Sequence, residues 1–148
     1  MPRIFAAIAL LLAGCTATSA GRPALQHYPA SSIGSISPPF SAAVRAGDIL
    51  YLSGQIGTRA DGTLPVGIEA QSRQAMDNIG AVLARAGLGW GDVFHCLVMI
   101  DEMSEWQAFN RVYVTYFEAG RLPARSALGA DGLALGARVE VECQARVR

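Results

Sequence analysis

Charge is sparse in this sequence and nowhere concentrated. The 148 residues carry 12 basic and 12 acidic side chains, a formal net charge of zero. No run of basic residues occurs, so the positive face with which proteins neutralise nucleic-acid phosphates is missing. Histidine and cysteine are scarce as well, with 2 and 3 copies. His27 and His95 stand far apart, and no spacing of His, Cys, Asp or Glu assembles a metal site. The Gly-x-Ser-x-Gly elbow and the phosphate-binding P-loop are absent. There is no internal repeat. No apolar run approaches the ~20 residues that a membrane-spanning helix needs. What remains is a chain that is 51% hydrophobic, a composition suited to one folded, self-associating domain and unlike that of a disordered segment.

The amino terminus reads as a targeting segment. Arg3 precedes an unbroken apolar run, Ile4 to Ala13, of the length of a signal-peptide core. The run ends in Leu12-Ala13-Gly14-Cys15, which resembles the bacterial lipobox, whose cysteine becomes the first mature residue and carries lipid. Residues 1–14 are therefore expected to be removed and Cys15 to be the lipidation site. Thr16, where aspartate would retain a lipoprotein at the inner membrane, favours the outer membrane, on the periplasmic side. A plain secretory signal cleaved after Ala20, giving a soluble periplasmic or secreted protein, is the alternative. Residues 15–32 are mostly small or polar, contain Pro23 and Pro29, and read as a tether with His27 solvated. The folded domain is expected over 33–148.

Within it, Ala42 to Arg45 and Ile49 to Ser53 are short strand candidates joined by a turn at Ala46-Gly47-Asp48. Ile68 to Ala86 carries Met76, Ile79, Leu83 and Ala86 at helical spacing, and Gly87 is placed to end that helix. Val93 to Ile100 is nearly all apolar and too short for another helix, which suggests a strand covered on both faces, with His95 a hydrogen-bonded core residue. Ser104 and Gln107 have capping-box spacing and start a second helix, running to about Ala119, with the stripe Trp106, Phe109, Tyr113, Tyr116 and Phe117. Arg125 to Ala130 and Arg138 to Val147 are the last strands. In the second of these Val139, Val141, Cys143, Ala145 and Val147 alternate with polar residues. The order predicts an α+β domain, a mixed sheet with two helices on one face. Cys96 and Cys143 fall inside apolar strand patterns and are read as two separate buried thiols. In an oxidising compartment they could pair if their Cα atoms lie within about 7 Å.

One segment has chemical promise. Pro123-Ala124-Arg125-Ser126 puts an arginine at the start of a strand, and arginine's planar fork binds a carboxylate through two parallel hydrogen bonds. Taken alone, Arg125 is more often a solvated residue, and Glu140 one of several polar residues on a wetted strand face.

Several motifs in order change that weight. They are Ser53-Gly54-Gln55-Ile56, then Ala70-Gln71, Gln74 and Asp77-Asn78-Ile79, then Asn110, Tyr113 and Phe117. Pro123-Ala124-Arg125-Ser126 and Arg138-Val139-Glu140-Val141-Glu142 complete the series. Together they resemble the RidA/YjgF reactive-intermediate deaminase family over about Ile33 to Arg148. The resemblance implies a chorismate-mutase-like fold, a homotrimer with a cleft at each subunit interface, and hydrolysis of 2-imino or enamine acids to 2-keto acids and ammonia. It implies no metal and no organic cofactor. By position, Arg125 would hold the substrate carboxylate and Glu140 would orient or deprotonate water. Ser53, Gly54 and Phe40 would line the pocket, and the backbone carbonyl of Ala127 could hold a second water hydrogen bond. The chain departs from the pattern at Phe40, where relatives often have tyrosine after Gly-Pro, and at Ala127, where cysteine is common. Export would also separate it from most enzymes that release such acids. A non-catalytic small-carboxylate binding protein on the same scaffold is the alternative; a nuclease is disfavoured by the neutral charge.

Overall fold

The computed structural model describes residues 24–32 and 37–147. The lipobox, Cys15 and the start of the tether lie outside the described residues.

Seven strands and two helices follow in the order β1 (Gln26–Pro29), β2 (Ser41–Ala46), β3 (Ile49–Leu52), β4 (Gln55–Ile56), α1 (Ile68–Arg85), β5 (Val93–Ile100), α2 (Trp106–Tyr113), β6 (Ala124–Gly129) and β7 (Val139–Arg146). They form one mixed sheet in the order β1-β2-β3-β7-β5-β6, with β4 paired beside β3 on β7. Among the described strands only β5 and β6 are parallel, and the crossover between them carries α2. The fold is the expected α+β arrangement, a mixed sheet with two helices.

The alternation read in β7 is the basis of the core. Val139, Val141, Cys143 and Ala145 are wholly buried, together with Leu50, Cys96, Val98 and Ile100 from neighbouring strands. Against that face pack Met76, Ile79 and Leu83 of α1 and Phe109 and Tyr113 of α2. Helix α1 ends as its sequence indicated: Gly87 takes φ +73, and the Leu88 N–H closes on the Leu83 carbonyl at 2.9 Å.

Five expectations need correction. The tether does not run to residue 32, because Gln26–Pro29 pairs antiparallel with β2; its polar sequence hid a strand that exists only through that pairing. β5 is covered on one face only. Cys96, Val98 and Ile100 are buried while His95, Leu97 and Met99 between them are half-buried, since both helices lie on the same side, and His95 is in register with Gln144 on the open side. The second helix is shorter than expected. A 3-10 turn at Met103–Glu105 leads into α2, no side chain caps it, and another 3-10 turn, Val114–Tyr116, follows it. Strand β6 starts one residue earlier than read, at Ala124. Finally, Cys96 and Cys143 are not separate thiols. They stand opposite each other on β5 and β7, with Cα atoms 4.1 Å apart, and form a disulfide. The register brought them within bonding reach, which spacing in sequence could not reveal.

Candidate active site

The first group of site residues gathers where β3 runs out into β4. Ser53 is tied to the start of β2: its N–H donates to the Ala42 carbonyl at 2.9 Å and its hydroxyl to the Ser41 carbonyl at 2.7 Å. Phe40, the residue before Ser41, is 52% exposed. The next turn is held from above by α1. Asn78 donates to the carbonyls of Ile56 and Thr58, both at 3.0 Å, and is itself held by Gln74 at 3.0 Å. Gln71 donates to the Pro65 carbonyl at 3.1 Å and accepts from the Arg138 N–H at 2.8 Å. A Cβ on Gly57 would meet the Gln71 backbone at 2.6 Å, so only glycine allows this approach of turn to helix. Gln71, Gln74 and Asn78 of α1, which matched a family pattern, thus act by fixing the turn that follows Gly54.

Glu140 lies directly over Gly54: a side chain at that glycine would overlap its carboxylate. Burial, and secondarily the charge of Glu142 two positions along the same face, push the Glu140 carboxyl above its ordinary value. A carboxyl tuned upward is better suited to accept a proton near neutrality than a fully solvated one.

The second group is at the other edge of the sheet. Arg125 sits on β6, which among the described strands pairs with β5 alone. Its guanidinium carbon lies 4.6 Å from the ring centre of Trp106, 4.4 Å from that of Tyr113 and 5.8 Å from that of Phe109. Among the described residues no acceptor takes a hydrogen bond from this guanidinium, and the ion pairs formed by Arg111, Arg121 and Arg138 do not involve it. Burial draws its pKa below the ordinary value, opposed by Tyr113, but an arginine remains charged throughout. Tyr113 is pushed up to about 12 by burial, with the charge of Arg125 opposing, so its phenol stays neutral. That hydroxyl and the side-chain oxygen of Asn110, one turn earlier on α2, are buried without a hydrogen-bond partner. Such orphaned groups are uncommon in folded proteins. Nothing in the sequence singles out Trp106 beyond core packing. Ala127 follows on the exposed edge of β6.

The two groups do not meet within one chain. Arg125 is in register with Cys96, and Cys96 with Cys143, on the helix side. Glu140 is in register with Met99, and Met99 with Leu128, on the open side. A shallow depression of about 620 Å³ lined by Val66, Gly67, Glu69, Arg73, Glu105 and Ala108 contains neither. Among the described residues no three metal-binding side chains cluster, and no helix is long and apolar enough to cross a membrane. All 12 basic residues are arginine, so no lysine is present to form a Schiff base with a carbonyl substrate.

A family model described as Endoribonuclease L-PSP, the RidA/YjgF family, matches residues 31–147. The chain belongs to this family. It is 38% identical over 106 residues to the 2-iminobutanoate/2-iminopropanoate deaminase of Mus musculus, covering 70% of this chain and 78% of the mouse protein. Among solved structures it is similar to YyfA of Yersinia pestis, a protein of unknown function in the conserved Rid family. That match has a TM-score of 0.77 and 35% identity, over 84% of this chain and all of the other. It is also similar to E. coli TdcF, solved with bound serine, at TM-score 0.73 and 27% identity, over 83% of this chain and 99% of that one. The RidA-family chain therefore has the family fold over more than four fifths of its length.

Proposed function

We propose that this protein hydrolyses small 2-imino or enamine acids to 2-keto acids and ammonia, in a pocket built between copies of the chain in a homotrimer. One observation carries the reading: the Arg125 guanidinium rests on aromatic rings with its N–H fork unspent. A substrate carboxylate is the group that fork fits. The curated relatives named as 2-iminobutanoate/2-iminopropanoate deaminases and TdcF with its bound amino acid support the substrate class.

In this reading Arg125 holds the carboxylate and sets C2 of the imine against the Glu140 side of a neighbouring protomer. Ser53 and Gly54 line that side, Phe40 flanks it, and the Ala127 carbonyl offers a second acceptor for water. Glu140 takes a proton from the water as its oxygen bonds to C2. It passes that proton to the imine nitrogen as the C=N π bond opens, giving a carbinolamine; the hydroxyl proton then moves to nitrogen by way of Glu140 as the C=O bond forms and the C–N bond breaks, and ammonia leaves. Water is the only co-reactant, because an imine carbon is already electrophilic and positioning supplies most of what is needed. Ammonia release from freshly generated 2-iminopropanoate, followed on the purified domain, tests this directly. Phe40 favours a second reading, capture of small carboxylates without turnover, since it offers no hydroxyl to the ligand. Binding of 2-keto acids with no ammonia release would establish that alternative.

The protein is further proposed to act outside the inner membrane, lipid-anchored through Cys15. The Cys96–Cys143 disulfide supports this placement, because such bonds persist in oxidising compartments. Cys15→Ser should leave the protein unlipidated and free of membranes. Mass spectrometry that finds mature, membrane-extracted protein with an unmodified Cys15 would overturn the anchor.

A further inference from the structure

We infer that the aromatic row Trp106–Tyr113 is the positioning device for Arg125, and that Trp106 sets the direction in which the guanidinium fork faces its ligand. The inference rests on the reading of Arg125 as the carboxylate clamp. It goes beyond that reading by assigning the clamp's orientation to particular residues on another element.

An arginine on an edge strand has four rotatable bonds and no reason to hold one direction. Ala124 and Ser126, its chain neighbours, are exposed and offer no walls. The usual way to fix a guanidinium is a carboxylate of the same protein, as Glu105 fixes Arg138 at 2.7 Å. That solution would occupy the very N–H groups a substrate must use. Stacking on ring faces avoids the conflict. The attraction acts on the face of the planar cation, and the N–H donors, which lie in its plane, stay available.

The structure has the parts this requires. Trp106, Phe109 and Tyr113 are spaced three and four apart on α2, so they line one side of the helix. Trp106 stacks on Phe109 with ring centres 5.6 Å apart, and Phe109 packs against Tyr113 at 5.5 Å. Phe109 and Tyr113 belong to the buried core, whereas Trp106 is partly exposed at its margin. The row is thus anchored in the core at Phe109 and Tyr113 and reaches the surface at Trp106, and the Arg125 guanidinium lies over both Tyr113 and Trp106, at 4.4 and 4.6 Å from their ring centres. From the backbone side, Arg125 lies in register with Cys96, which is bonded to Cys143. Strand and guanidinium are fixed separately, one by the sheet and one by the rings.

The positional role is separable from packing. Trp106→Phe keeps a ring face and should leave KM for 2-iminopropanoate within about threefold. Trp106→Leu keeps apolar bulk but removes the face. It should raise KM and the Kd for propanoate about tenfold, equivalent to about 1.4 kcal/mol, with kcat changed far less. A purely structural role would instead lower the melting temperature and the active fraction without moving KM. Should the leucine variant fail to fold, a second measurement decides. In a Trp90→Phe background Trp106 is the sole tryptophan, and propanoate binding should shift its emission, a response that Arg125→Ala abolishes. If calorimetry shows propanoate binding through Arg125 while Trp106 emission stays unchanged, the positioning role is wrong and the clamp stands. If Arg125→Ala binds propanoate like the wild type, or the wild type does not bind it, the clamp itself fails and this inference falls with it.

Discussion

Arg125 and Glu140 occupy opposite faces of the same sheet, separated by strand β5. Arg125 aligns with Cys143 through Cys96, and Glu140 lies three positions from Cys143 on β7. An odd offset puts two side chains on opposite faces. Two strand spacings across and three residues along also separate their Cα atoms by roughly 14 Å. No small acid can touch both within one protomer, so a site that uses both needs a second copy of the chain.

That geometry predicts complementation. Arg125→Ala and Glu140→Gln should each be nearly inactive alone. Co-expressed, they should assemble mixed trimers in which some interfaces pair an intact Arg125 with an intact Glu140. Random mixing would restore up to about a quarter of wild-type ammonia release. Light scattering should give about three times the monomer mass for every species. Mixed preparations that form trimers but recover no activity would place both residues in separate sites.

For Arg125 itself the expected order is set by the fork. A charged hydrogen bond contributes about 1.5–3 kcal/mol, and each ~1.36 kcal/mol is about tenfold in rate. Arg125→Lys keeps the charge but not the paired donors, and should lower kcat/KM at least about tenfold. Arg125→Ala should cost on the order of a hundredfold or more. Both variants should remain trimeric, since the guanidinium bonds to nothing else among the described residues. Near-native turnover in Arg125→Ala would contradict the clamp.

Glu140 should leave a signature in the pH dependence of both rate and stability. Its carboxyl is raised by burial and by Glu142, so kcat/KM should rise with pH through a value above the ordinary ~4.3 of glutamate. The stability trend has the opposite sign. Between the unfolded and the higher folded pKa the native state holds more protons, so stability falls as pH rises through that window. Glu140→Gln should flatten both curves while sparing 2-keto acid binding. Kinetics and denaturant titrations from pH 4 to 8 would expose any profile that the substitution leaves unchanged.

The disulfide should contribute chiefly to stability. It links residues separated by 47 positions, and closing a loop of that length in the unfolded chain stabilises the fold by about 4 kcal/mol. Cys96→Ala/Cys143→Ala, or full reduction, should lower the melting temperature by roughly 10–20 °C in calorimetry. A melting temperature indifferent to reductant would mean that the bond does not form.

Local pattern made much of the fold legible. The strict alternation from Val139 to Ala145 could only be a half-buried strand, and the stripe Met76-Ile79-Leu83 with Gly87 behind it could only be a capped helix. Arg125 was identified on the strand that carries it. Features that depend on distant partners were not legible. Gln26–Pro29 has little strand character and pairs because β2 offers an edge. The start of α2 has the spacing of a capping box, yet its chain enters through a 3-10 turn, Met103–Glu105, whose Glu105 pairs with Arg138 on the approach to β7.

The sequence by itself determined both helices, four strands at the core of the sheet and β6 at its edge, their order, the family and the pairing of an arginine with a glutamate as candidate chemistry, because these follow from periodicity and motif within short windows. Tertiary structure alone decided where those groups act. Strand register joined Cys96 to Cys143, put Arg125 on the aromatic row of α2, and turned Glu140 to the other face over Gly54. Register is a relation between segments far apart in the chain. A shift of one residue would reverse every face, so no local pattern carries it.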